Sequence, residues 1–242
     1  MPFLEHLAEL RSALIHSVIA CVAGAIAGWW LAPRVLEDLI RRTVKQAVVL
    51  SPLEALNERI KLSLVLGLGI VLPYVFYRVW RFIVPGLLRR ERSFILPMAF
   101  ASMLLFALGV WAAYGYLVPL VVDVLGRFAT PSMKPEIRLG ELLGFFYNLA
   151  LACGMVFQLP LVTMTLTRLG VVTPRFLLRQ WRIAVVLVFL VTAIITPGDV
   201  VSAQVIMGLP MTGLYFLSVG LSWLVARRHG ETPETVDGGE HA

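Results

Sequence analysis

Two carboxylates at the edges of apolar runs are the first residues in this sequence that could do chemistry. Glu9 stands just before one run, in HLAELR, and Glu91 just before another, inside the basic stretch Arg89, Arg90, Glu91, Arg92. One reading is local: Glu9 sits where a helix N-terminus favours negative charge, and Glu91 pairs with its arginine neighbours. The other joins them into an acidic site for a ligand with adjacent arginines. Carboxylates bind guanidinium through forked, bidentate hydrogen bonds that lysine cannot reproduce. Gln158, in VFQLP, is a polar amide near the middle of a third apolar run, and Pro160 beyond it frees a backbone carbonyl near Val156. An amide at that depth either makes a packing hydrogen bond or docks a membrane helix of another protein. Asp199 and Gln204 form a further cluster, in which Asp199 reads as a helix cap.

Catalytic and metal chemistry finds little support. The four histidines, His6, His16, His229 and His241, all lie away from the middle of any apolar run. There is no GxSG, no HExxH, no phosphate-cradling glycine loop and no pair of carboxylates inside a helix. Cys21 and Cys153 fall within apolar runs, with no CxxC spacing for a disulfide or metal. The expectation is a protein that is not an enzyme and needs no cofactor.

The elements that must position these residues are membrane spans. Of 242 residues, 59% are hydrophobic and 15% charged, and the mean hydropathy is +0.84. Soluble domains are about 25% charged, so the composition describes an all-α integral membrane protein, with the lipid bilayer as its solvent and no nucleic-acid partner. Crossing the bilayer takes about 20 apolar residues. Six stretches qualify, near 12–31, 62–84, 94–122, 142–169, 183–195 and 203–225, in a single domain over 1–228. The opening residues lack a basic n-region and a cleavage site, so the first span is expected to be retained.

Six spans put both termini on one side. With Arg89 to Arg92 taken as cytoplasmic, that side carries 12 basic residues against 9 opposite, six of those in the first outer loop. The short loops carry the bias, which makes both termini cytoplasmic. In that outer loop Ser51, Pro52 and Glu54 have the form of a capping box, so a helix is expected to begin there and run into the second span. Thr173-Pro174 is expected to cap a helix leading into the fifth. Counted generously from Trp181 to Ile195, the fifth span reaches only ~22 Å of the ~30 Å core, so helices five and six are expected to be short, forming a low wall of a cupped bundle. The tail 229–242 is polar and expected to be disordered.

These motifs together resemble the TatC family, the polytopic core component of the twin-arginine protein translocase, over about residues 3–228. HLAELR resembles the family's HLxELR at His6, Leu7, Glu9, Leu10 and Arg11. Ser51, Pro52, Glu54 and Ile60-Lys61-Leu62 match SPxE…IKL, and Trp80, Phe82, Pro85, Gly86, Leu87, Glu91 and Arg92 match WxFxxPGLxxxER. Phe157 and Pro160 match the fourth-span motif, and TPGDVVSAQ matches TPxDxxSQ with one residue of difference.

The resemblance implies a receptor in the bacterial inner membrane for twin-arginine signal peptides of folded precursors, driven by the proton-motive force. Glu9 and Glu91 would be the signal-peptide carboxylates, with Arg11, Phe82 and Arg92 shaping the site. Gln158, with Pro160, Gln204 and Asp199, would lie where TatA-type and TatB-type single-span partners dock, within a self-associating complex. Gln158 departs from the glutamate of some relatives. The rival reading, a secondary transporter of a small solute, lacks matching broken helices and a charged midplane site.

Overall fold

The computed structural model describes residues 2–44, 47–87, 95–128, 137–168, 170–195 and 201–228, with the backbone alone at 2–14, 17, 82–87, 95 and 228. It is all-helical: α1 (Pro2–Thr43), α2 (Pro52–Leu87), α3 (Ile95–Ala112), a π turn (Ala113–Leu117), α4 (Val118–Gly126), α5 (Leu139–Val156), α6 (Leu159–Arg168), α7 (Pro174–Arg179), α8 (Trp181–Ile195) and α9 (Val201–Arg228). Among the described residues, five helical rods are long and apolar enough to cross a membrane, and α8 is a shorter apolar helix. Isoleucine, leucine and valine side chains such as Val18, Val22, Ile26, Leu104 and Ile194 face outward, as a lipid solvent requires.

α1 and α2 form an antiparallel pair in close backbone contact. A Cβ on Gly24 would stand 2.6 Å from the Gly67 carbonyl oxygen, one on Gly28 2.4 Å from that of Ser63, and one on Gly67 2.3 Å from the Ala25 nitrogen. Without water between helices, such small-residue contacts supply the van der Waals packing that holds membrane helices together. The main core lies beside this pair, where Leu39, Leu62, Val118, Val121, Leu143, Leu149 and Met207 are all buried.

Two expectations are corrected. The first helix does not end near Leu31 but continues through Pro33 to Thr43. Its charged last turns are held by i,i+4 pairs, Glu37 with Arg41 and Asp38 with Arg42. The Tyr114 hydroxyl donates to Asp38, and the Arg42 guanidinium lies 5.7 Å over the Tyr114 ring. Second, the sixth membrane helix is not short. α9 runs for 28 residues with Pro210 inside it. Its buried stripe Ala203, Met207, Met211, Tyr215, Ser218 and Ser222 keeps helical spacing on both sides of the proline. The cap expected at Thr173 is present: its hydroxyl accepts from the Phe176 N–H at 3.2 Å, and the six-residue α7 leads through Gln180 into α8.

The third rod contains the π turn because Pro119 has no N–H to give the carbonyl four residues back. The register widens there, and the Val118 N–H reaches the Ala113 carbonyl. The fourth rod breaks at Phe157 and Gln158, ahead of Pro160. The tail 229–242 lies outside the described residues.

Candidate functional site

At one end of the bundle, the stretch before α2 pairs with the stretch before α5. The Val48 N–H donates to the Ile137 carbonyl and the Leu139 N–H to the Val48 carbonyl, both at 3.0 Å. The capping residues sit beside this bridge in a modified box. The Ser51 hydroxyl accepts from the Leu53 N–H at 3.3 Å, and Pro52 opens the helix. Glu54 reaches past the N-cap to accept from the Leu50 N–H at 3.0 Å and, across the bridge, from the Gly140 N–H at 3.3 Å. Arg138 stands 3.9 Å from the same carboxylate. One carboxylate therefore closes its own helix and ties two loops together. Glu54→Ala should cost about 1–2 kcal/mol, the worth of a lost cap. Hydrogen exchange at Leu50 and Gly140 should speed up with it, and unchanged exchange at Gly140 would contradict the cross-bridge role.

Glu58, one turn further into α2, is not marked by any sequence motif. It is 4% exposed, and Lys61 Nζ donates to its Oε1 at 2.7 Å. The Tyr147 hydroxyl donates to its main-chain carbonyl at 3.3 Å. The only signal in the sequence is the i,i+3 spacing of Glu58 and Lys61. Next to it, the Arg59 guanidinium lies 4.1 Å over the Trp29 ring, an arrangement that suits a cation at the membrane edge.

The break in the fourth rod positions Gln158. Its N–H donates to the Met155 carbonyl at 3.0 Å, a tightened turn, and its carbonyl accepts from Val162 at 3.0 Å. Its side-chain amide donates across to the main-chain carbonyl of Ser102 in α3, at 2.9 Å. The Ser102 hydroxyl in turn accepts from the Trp80 indole N–H in α2 at 2.8 Å. Trp80, Ser102 and the neighbouring Ala99 and Leu161 are buried, with Phe76, Met98 and Leu105 packed on them. Of the two readings of Gln158, the packing hydrogen bond is thus present inside the chain. Gln204 is similar: its amide donates to the Phe189 carbonyl at 2.9 Å, joining α9 to the short α8. Pro160 is buried in α6.

Glu9, Arg11 and Phe82 lie toward the end of the α1–α2 pair away from the bridge. Glu9 and Arg11 lie on the first turns of α1, and Phe82 lies near the end of α2. Glu9 is fifteen residues before Gly24 and Phe82 fifteen after Gly67, so from that contact they are equally far along their two helices. Glu91, Arg92 and Asp199 lie outside the described residues. Among the described residues no group of three histidine, cysteine, aspartate or glutamate side chains could hold a metal ion.

Residues 5–210 match the family described as TatC, Sec-independent protein translocase protein. The chain is 36% identical to the Sec-independent protein translocase protein TatC of Aquifex aeolicus, over 96% of this chain and 98% of that protein. It is 32% identical to the TatC of Koribacter versatilis, over 98% of this chain and 92% of that one. Among solved structures, a crystal structure of the twin-arginine translocase receptor TatC superposes with a TM-score of 0.82 at 36% identity, covering 92% of this chain and all of the other.

Proposed function

The chain belongs to the TatC family of Sec-independent protein translocase proteins, and on that premise we propose that Glu9 and Glu91 read paired arginines in an export signal. It is a multi-pass protein of a bacterial membrane, a receptor component of the twin-arginine translocase that exports proteins, and not an enzyme. Both termini face the cytoplasm. Glu9 and Glu91 hold the two guanidinium groups of the signal peptide, with Arg11, Phe82 and Arg92 framing them. TatA-type and TatB-type single-span proteins assemble along the fourth and fifth spans near Gln158, Pro160, Asp199 and Gln204. The chain self-associates in the complex, and transport of the folded cargo draws on the proton-motive force.

The observation that carries the peptide-site reading is the placement of Glu9 and Phe82, equally far along the tightly packed α1–α2 pair. Each belongs to a motif that carries the other half of the site, Arg11 with Glu9, and Glu91 and Arg92 with Phe82. The test is binding of a labelled twin-arginine signal peptide, against its twin-lysine version, to the detergent-purified protein. Strong preference for arginine is expected, and equal affinities would overturn the reading.

The docking role of Gln158 has its own test. Gln158→Leu should lower co-purification of a TatB-type partner about threefold, since interhelical polar bonds are worth ~0.6 kcal/mol, with peptide affinity nearly unchanged. Equal recovery of the partner would leave Gln158 as a packing residue alone.

A further inference from the structure

Ser102 is hydrogen-bonded both from α2 and from the break in the fourth rod. Its carbonyl accepts from Gln158 at the break in the fourth rod, and its hydroxyl accepts from Trp80. Trp80 lies two residues before Phe82 on α2, in the WRF stretch of the peptide-site motif. An indole carries one N–H and no acceptor, and Trp80 is 5% exposed, so the direction of that bond fixes the ring. Ser102 itself is 1% exposed.

We propose that Ser102 is a positioning residue for signal-peptide binding, holding the Trp80 ring and through it the last turns of α2 on which Phe82 is carried. The proposal rests on the receptor reading given above. The physical argument is one of specificity rather than strength. The small apolar cluster around Trp80 would tolerate several ring orientations, because Ala99, Leu161, Phe76 and Met98 offer contact without direction. The hydroxyl alone supplies a direction. Gln158 steadies the same residue from the other side, through a carbonyl that the Ser102 hydroxyl does not depend on. Loss of Gln158 should therefore disturb the peptide site less than loss of the hydroxyl.

The test uses the full-length protein in detergent and reads dissociation constants for the twin-arginine and twin-lysine peptides beside the melting temperature. Ser102→Ala should weaken twin-arginine binding about 10-fold, as expected when a buried donor loses its acceptor. Trp80→Phe should do the same by removing the donor. The double variant should fall within about twofold of the worse single one, because both remove one interaction. Ser102→Thr, which keeps the hydroxyl, should restore most of the affinity. A lower melting temperature with unchanged affinity in Ser102→Ala would overturn the proposal by showing a structural bond only. Losses that multiply in the double variant would overturn it as well. If the wild-type protein does not prefer arginine over lysine, the receptor reading itself fails and takes this proposal with it. That outcome is visible before any variant is made.

Discussion

Gly67→Val is expected to prevent α1 and α2 from packing as they do. Its Cβ would fall 2.3 Å from the Ala25 nitrogen and 2.6 Å from the Ala25 Cα and the Gly24 carbonyl carbon. All three are backbone atoms, which no rotamer change can move away. Ordinary contact needs about 3.5–4.0 Å, so the helices would have to separate by more than about 1 Å. That motion would also pull Gly24 and Gly28 from their contacts and lift Trp29 from Arg59. Overpacking in cores costs about 1–3 kcal/mol, and a clash between two backbones should exceed the upper figure. The reading is a melting temperature lowered by about 10 °C or more, from the usual 2–4 °C per kcal/mol for a chain of this size. Gly69→Ala is the control, two residues away on the same helix, where a Cβ meets nothing within 4 Å. It should be neutral or slightly stabilising, because alanine is the better helix former. Equal effects at Gly67 and Gly69 would show that the close approach carries no energy.

Those glycines illustrate what the sequence made legible and what it hid. Hydropathy found the long helices, since about 20 apolar residues in a row have few other uses. The same signal hid the extension of α1, because Pro33, Arg34, Glu37 and Asp38 look like a loop until the i,i+4 pairs and the Tyr114 contact are visible. The shortness of the fifth span suggested a short sixth helix beside it, whereas the stripe from Ala203 to Ser222 holds α9 together through Pro210. The cap at Ser51 was readable from local chemistry, but not the reach of Glu54 across to Gly140, which depends on a pairing 86 residues away. Ser102 gave no sign at all. A lone serine in an apolar run gains meaning only from Trp80 and Gln158, which the fold brings to it from two other helices. The cap at Ser51 was legible because its partner is local, whereas the tertiary partners of Glu54 and Ser102 were not.

The largest functional effect is expected from the paired substitution Glu9→Ala with Glu91→Ala, which should reduce twin-arginine peptide affinity by at least about 100-fold. A hydrogen bond to a charged group contributes about 1.5–3 kcal/mol, and each forked carboxylate–guanidinium contact contains two. Each single substitution should therefore cost about 10-fold or more by itself. The pair should cost about the product of the two single losses, because each carboxylate holds a different guanidinium group. The melting temperature should hardly move. Glu9 lies on the opening turns of α1, fifteen residues before the close backbone approach at Gly24. The substitutions should also erase the preference for arginine over lysine, since an ammonium binds as a point charge and a guanidinium as a fork. Salt should weaken wild-type binding and leave the residual binding of the double variant less affected. Full twin-arginine affinity in the double variant would place the recognition of the signal elsewhere in the protein, even though its family membership would stand.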